Sequence, residues 1–423
     1  MKNIYIYLKT LLIAFVFILQ NCSIVNALIC SKTDPINCLQ FEPLARLWNV
    51  SNEEVPKLLD LEKILISIDS KLQPLLNGLS FGGTYIDIKA GKINVNTVDQ
   101  SKVNEIRNKM KNDQDFVNFM AANNTLSQLN STFNQTFILA QQFNITNYEI
   151  NIEPEFNNVV IYLNMHDGKN KKFIENVETL NPSPIIKPLS NKEKEEILFN
   201  SSTLVEKRNI YILVDGGNKI VSVNDHANGT LACSAGFWMK KNNEDFIVTA
   251  GHCPDHFPSL FYVYSFQDNH LIGPMNSRFI GSYDMGFIKK TNTNIMLRPV
   301  IRQFDIINLR FLQFFIVGSS EITSCGIHIC KAGQITGIGC GFVSAINSIS
   351  DFDDRVLIRT IVVANMPNND GDSGGSMFRY NGLNGQSNLA DAVDIHIGGI
   401  PGIQAVGMPI NIAFELGYPL VTI

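Results

Sequence analysis

The pentapeptides Gly371-Asp372-Ser373-Gly374-Gly375 and, earlier, Thr249-Ala250-Gly251-His252-Cys253 set the strongest constraint on how this chain folds. A serine hydroxyl is a poor nucleophile until an imidazole within hydrogen-bond reach takes its proton. A fold that uses both segments must therefore bring Ser373 and His252 together across a long stretch of chain. The glycines let the backbone turn tightly, so that the amides of Gly371 and Ser373 are the expected donors to a developing oxyanion. Histidine first and serine last also excludes the α/β esterase arrangement, in which the serine leads and the histidine closes.

A third group has to orient the imidazole. His252 follows the apolar run Phe246-Ile247-Val248-Thr249, and Asp284 opens another, Met285-Gly286-Phe287-Ile288. An acid at the start of an apolar strand is well placed for burial against an imidazole. In isolation it would read as an ordinary turn aspartate; the contexts of His252 and Ser373 turn the reading toward catalysis. Asp255 and the cluster Asp351, Asp353 and Asp354 compete, but none precedes an apolar strand in this way. Asp372 has two readings: a second acid near the reaction, or an anchor of the serine loop through a buried ion pair or hydrogen bonds. His166, His226, His256, His270, His328 and His396 show no metal-ligand spacing. Surface or satisfied core positions are expected for them, with no metal and no cofactor.

At 423 residues the chain suits two domains with a linker. A net charge of −5 without a Lys/Arg cluster argues against nucleic-acid or anionic-membrane partners. Lys2 and Lys9 flank an apolar stretch, Leu11 to Leu19, too short to span a membrane. Val25-Asn26-Ala27 fits a signal-peptidase site, so residues 1–27 read as a secretory signal peptide and the product as secreted and extracellular. Export favours disulfides. Of eight cysteines, Cys22 leaves with the signal, so one of the remainder is unpaired or bonds another molecule. Glycosylation sequons begin at Asn49, Asn123, Asn130, Asn134, Asn144, Asn200 and Asn228, mostly in the N-terminal half.

Residues 28–180 read as an α/β domain. Ser51 is placed to cap a helix carrying Leu58, Leu61, Leu65, Ile68 and Leu72, ended by Gly78. Thr84 to Ile88 and Lys92 to Thr97 alternate like a hairpin around Gly91. Asp99 caps a polar helix through Met110, another helix spans Leu129 to Phe143, and strands are expected at Tyr148 to Ile152 and Val159 to Leu163. Residues 181–208 read as a linker: Pro182, Pro184 and Pro188 break regular structure, a charged run follows from Asn191, and Lys207-Arg208 closes it. That pair is either a processing site or two solvated charges. From 209 to 423 short strands alternate with Gly/Asn/Asp turns, the pattern of a sandwich or barrel, with a helix expected only at Asn411 to Leu416.

Thr249 to Cys253, Asp284 and Gly371 to Gly375 resemble the corresponding residues of chymotrypsin-fold serine proteases. Cys330 to Cys340 is similar to the Cys-x9-Cys hairpin loop of the bacterial branch, the streptogrisins and alpha-lytic protease. Phe81-Gly82-Gly83-Thr84-Tyr85-Ile86-Asp87 and Lys92 to Thr97 resemble a motif of that branch's folding propeptide. Met408-Pro409-Ile410-Asn411 resembles the approach to its C-terminal helix. The likeness covers nearly all of residues 45–423.

The resemblance implies a secreted endopeptidase made as a precursor. Its protease domain would be an all-β double six-stranded barrel, preceded by an α+β propeptide domain that aids folding and inhibits until removed. Ser373 would be the nucleophile, His252 the base and Asp284 its orienter, with the oxyanion held by Gly371 and Ser373. Ile397, Gly398 and Gly399 would line up with the substrate backbone. The partners are a protein or peptide substrate and the chain's own propeptide, on a monomer. The resemblance also implies Cys233–Cys253 and Cys330–Cys340 bridges and a small Cys30–Cys38 loop, leaving Cys325 odd. Two departures stand out: Pro367 sits where a third bridge would start, and Ile397 replaces a serine whose hydroxyl supports the aspartate. No acid marks the pocket base, so a neutral, apolar pocket is expected. These departures motivate one alternative, a catalytically silent secreted binding protein on a protease fold, against which the complete His–Asp–Ser set argues.

Overall fold

The computed structural model describes residues 40–165, 168, 170–189, 211–223, 230–254, 256–265, 268–305, 310–352, 355–383 and 386–423. The expected signal peptide, Cys30 and Cys38, Lys207-Arg208, Asp255, Asp353, Asp354, His166, His226 and the sequons at Asn200 and Asn228 lie outside the described residues.

Helix α1 (Glu42–Trp48) carries Pro43 in its first turn and ends on Asn49 at φ 54°. Helix α2 (Val55–Leu72) is the expected amphipathic helix with different ends and a rotated face. Ser51 does not cap it; its N–H and hydroxyl each donate to Glu54 at 3.0 Å. The helix stops at Leu72 and passes into a 3-10 turn containing Pro74, well short of Gly78. Its deepest line is Leu59, Glu62, Leu65 and Asp69, with Leu58 and Leu61 at the margin. Acids occupy that line because the far half of the chain supplies their partners: the Ser324 hydroxyl donates to Asp69 at 2.5 Å, and His328 Nδ1 lies 2.7 Å from Glu62.

Strands β1 (Phe81–Asp87) and β2 (Lys92–Thr97) form the expected hairpin, turning through Gly91 at φ 63°. Helix α3 (Val103–Lys109) follows a turn capped by Asp99, and β3 (Val117–Ala121) adds in parallel to β2. Helix α4 (Leu126–Gln142) opens on a capping box of Thr125 and Gln128. Then come the antiparallel strands β4 (Tyr148–Glu153) and β5 (Asn158–Leu163), helix α5 (Asn170–Val177) and β6 (Ile185–Pro188). The prolines predicted a break here, yet β6 pairs in parallel with β5. It is an edge strand, where a missing N–H is tolerated.

Strands fill the rest. β7 (Ile212–Gly216) precedes β8 (Lys219–Val223), β9 (Thr230–Ser234), β10 (Trp238–Lys241) and β11 (Glu244–Thr249). β12 (Ser259–Ser265), β13 (Asp268–Ile280) and β14 (Asp284–Lys289) complete a seven-stranded sheet ordered β10-β11-β14-β13-β12-β8-β9. β15 (Ile295–Asp305), β16 (Arg310–Ser319), β17 (His328–Gly333) and β18 (Gly337–Phe352) follow. β19 (Arg355–Ala364), β20 (Ser376–Tyr380), β21 (Leu389–Ile400), β22 (Gln404–Pro409) and helix α6 (Asn411–Glu415) close the chain. These later strands join β4, β5, β6 and β7 in one twelve-stranded sheet, which crosses between the halves where Ile150 pairs with Ile349. A single hydrophobic cluster does the same, placing Trp48, Leu59 and Leu65 with Ile329 and Phe378. Burying a large apolar side chain contributes about 1.5–3 kcal/mol, so the two halves stabilise one another. Among the described residues no helix is long and apolar enough to cross a membrane.

Candidate active site

The antiparallel register of β11 and β14 sets Thr249 against Gly286. The turn after β11 therefore passes the first residue of β14, and that is how His252 meets Asp284. The contact is double: His252 N–H donates to Asp284 Oδ1 at 2.9 Å, and Nδ1 lies 2.7 Å from Oδ2. A carboxylate at Nδ1 keeps the proton there and leaves the Nε2 lone pair free to act as a base. The Asp284 side chain is fully buried while His252 retains 24% exposure, so the imidazole reaches the surface and the carboxylate does not. Burial pushes the Asp284 carboxyl up, but the charges of His252 and Arg355 and the hydrogen bonds from His252 outweigh it and hold the carboxyl below its ordinary value.

Arg355 escaped the sequence reading. Its Nη1 donates to Asp284 Oδ2 at 2.6 Å, and its Nε to the Phe352 carbonyl at 3.1 Å. Nothing in its sequence neighbourhood marks it, because the contact exists only once β18 and β19 fold back beside β14.

The serine loop is tied down from below. Gly371 and Gly374 take φ of 95° and 84°, values that favour glycine. A side chain at Gly374 would strike Thr249 Oγ1 and crowd the Ala250 amide, so the loop packs directly on the histidine strand. The Ser373 carbonyl accepts from Ser234 N–H at 2.8 Å and lies 3.8 Å from Cys253 Sγ. Cys253 is bonded to Cys233, which fastens the turn carrying His252 to β9. Ser373 is thus brought beside the residue next to His252.

Of the two readings of Asp372, the geometry favours the anchor. Its carboxylate is fully buried, accepts from Lys331 Nζ and Thr336 Oγ1 at 2.6 Å each, and takes the amides of Ile335, Thr336 and Asn369 at 2.9–3.1 Å. Burial raises its pKa, but the Lys331 charge outweighs that and holds it below the ordinary value. Lys331 lies in the hairpin of β17 and β18, closed by the Cys330–Cys340 bridge.

β21 runs alongside. Gly374 N–H donates to the His396 carbonyl at 2.7 Å and His396 N–H to that of Gly375 at 2.9 Å. Its pairing with β22 slips between His396 and Gly398, and Gly398 and Gly399 adopt φ of 154° and 141°. A side chain on Gly399 would strike the Gln404 carbonyl. Ile397 is buried. His396 and His328, expected at the surface or as satisfied core residues, are both buried; burial pushes His396 well below its ordinary pKa, and its Nδ1 has no partner among the described residues. Asp394 on the same strand is buried, with no partner for either oxygen among the described residues, and burial raises its carboxyl to about 8. Cys325 is buried and unpaired among the described residues, and desolvation pushes its thiol up to about 12. Cys233, His252 and Cys253 bring ligand-type atoms within 4.8 Å of one another, but the two sulfurs bond each other and present no thiolate.

No protein-family model matches the chain. Serine protease 2 of Streptomyces fradiae is 25% identical over 154 residues, covering 36% of this chain and 83% of that protein. Streptogrisin-C of Streptomyces griseus is 27% identical over 154 residues, 36% of this chain and 30% of that longer protein. Among solved structures, Thermobifida fusca protease A aligns with a TM-score of 0.39 at 22% identity, and a Nocardiopsis protease with 0.40 at 20%, each covering 50% of this chain and 100% of the other.

Proposed function

We propose, from the premise that this chain is a relative of the streptogrisin-type chymotrypsin-fold serine proteases, that it is a secreted serine endopeptidase made as a precursor. The observation that carries the reading is the double contact of His252 with buried Asp284, beside the loop that presents Ser373. Ser373 Oγ attacks the substrate carbonyl and passes its proton to His252 Nε2. The amides of Gly371 and Ser373 hold the oxyanion, and losing one such donor typically costs about 3–4 kcal/mol in the barrier. His252 then protonates the leaving amine, and water releases the acyl group by the same steps in reverse. The seven-stranded sheet and the later strands of the twelve-stranded sheet are read as the two barrels. Ile397, Gly398 and Gly399 are read as the strand that pairs with the substrate. Residues 28–180 act as a propeptide that templates folding and inhibits; the shared core and the β4–β18 pairing support this.

Ser373→Ala is expected to abolish casein cleavage and labelling by a fluorophosphonate while leaving circular dichroism unchanged. Undiminished labelling of that variant would remove Ser373 as the nucleophile.

A further inference from the structure

Asp284 holds its charge in a fully buried position, and three cationic or proton-carrying groups act on it. His252 comes from the turn after β11, Arg355 from the tip of the β18–β19 hairpin, and Arg278 from β13. His396, on β21, feels the charge of His252. Arg355 makes the direct contact, at 2.6 Å to the same oxygen that faces His252 Nδ1. Its own aim is fixed twice. Nε is held by the Phe352 carbonyl, and Ile358 N–H donates to the Ser282 carbonyl at 3.1 Å, which sews β19 to the residues just before Asp284. On the outer side of the hairpin, Asp351 pairs with Tyr148 and accepts from Asn147 N–H at 3.0 Å, so β4 braces the tip.

We propose that Arg355 is a positioning residue for the His252–Asp284 pair, holding the Asp284 carboxylate in place as a hydroxyl donor could, but doing so with a charge. A hydroxyl only orients the carboxylate. A guanidinium also offsets part of its negative charge, and so weakens its pull on the imidazolium formed when His252 takes a proton. Arg355 therefore sets both the aim of the pair and the pH range over which His252 remains an unprotonated base. This inference rests on the protease reading, and its test separates the two.

The test uses the full chain, with Arg355→Gln and Arg355→Lys, and reads the fluorophosphonate labelling rate against pH. Arg355→Gln is expected to lower the maximal rate about three- to tenfold and to move the acid-limb midpoint upward by on the order of half to one pH unit. Arg355→Lys, which keeps the charge on a flexible stem, is expected to recover most of the shift. A role confined to packing would lower the rate and leave the midpoint in place, and that result overturns the proposal. The low-field proton between His252 Nδ1 and Asp284, followed by NMR on the same proteins, gives a second readout that needs no reactive serine. If nothing labels while that proton's titration moves upward in Arg355→Gln, the protease reading fails and the arginine's role stands. If Arg355→Gln does not fold, Arg355→Met, which also removes the charge, carries the test: a titration superposable on the unsubstituted chain overturns the proposal, and an upward shift that Arg355→Lys largely reverses supports it.

Discussion

At the scale of single residues, Asp372 shows how the serine loop is held. Lys331 and Asp372 are both fully buried and 2.6 Å apart, so each is the other's neutralising partner. Removing one partner of a buried pair leaves an uncompensated charge, at about 3–5 kcal/mol. Lys331→Met is expected near the lower end, about 3 kcal/mol by urea denaturation, because backbone amides still solvate Asp372. The double variant Lys331→Met with Asp372→Asn should recover part of that loss. A cost below about 1 kcal/mol for Lys331→Met would mean the amides alone hold the loop. His252, Asp284 and Ser373 were legible because each sits in a short local pattern of glycines or apolar strand residues. Lys331 and Arg355 were not, because a cation's partner is written nowhere near it in the chain.

At the scale of elements, helix α2 delivers Glu62 into the strands of the second half. His328 N–H donates to Glu62 at 2.9 Å, His328 Nδ1 lies 2.7 Å away, and Arg379 contacts it at 2.6 Å. Tyr380 N–H donates to His328 Nε2 at 3.1 Å, so protonating that nitrogen would set N–H against N–H. Burial lowers the His328 pKa from 6.5. For Glu62 burial works upward, but His328 and Arg379 outweigh it and hold the carboxyl at about 2, against 4.5 ordinarily. Both folded values are depressed, so both contributions are present above the ordinary values and are lost on acidification. The His328 contribution declines below pH 6.5, and that of Glu62 from pH 4.5 toward 2. The His328 contribution alone is therefore expected to fall by up to about 1.4 kcal/mol per pH unit below 6.5, while buried carboxyls held up, such as Asp394, act in the opposite sense. The stability difference between the chain and its His328→Asn variant, from urea midpoints, should therefore shrink between pH 7.5 and 5; a constant difference would count against it. The amphipathic pattern of α2 was readable, but its buried line was not. Periodicity places leucines inward, and only the facing His328, Arg379 and Ser324 make room for acids there.

At the scale of the whole molecule, the two halves are one folded object. The shared core and the β4–β18 pairing mean that residues 209–423 alone would expose Ile349 and its neighbours as a free sheet edge, together with the apolar surface under Trp48 and Leu59. That segment is expected to refold in low yield by itself, and addition of residues 28–208 in trans should restore soluble, labelling-competent protein. Equal yields with and without the partner would refute the folding role. Several pairings join strands far apart in sequence, among them β4–β18, β7–β15 and β16–β21, which makes an unassisted search slow.

The sequence by itself determined what is local: which segments alternate as strands, where glycines permit the serine turn, and in what order histidine, aspartate and serine arrive. Tertiary structure alone decided which charges meet. Arg355 on Asp284, Lys331 on Asp372 and Glu62 on His328 each join residues far apart in the chain. The reason is physical. Backbone periodicity is encoded residue by residue, whereas a buried charge is stable only against a partner that the completed fold brings within hydrogen-bond reach.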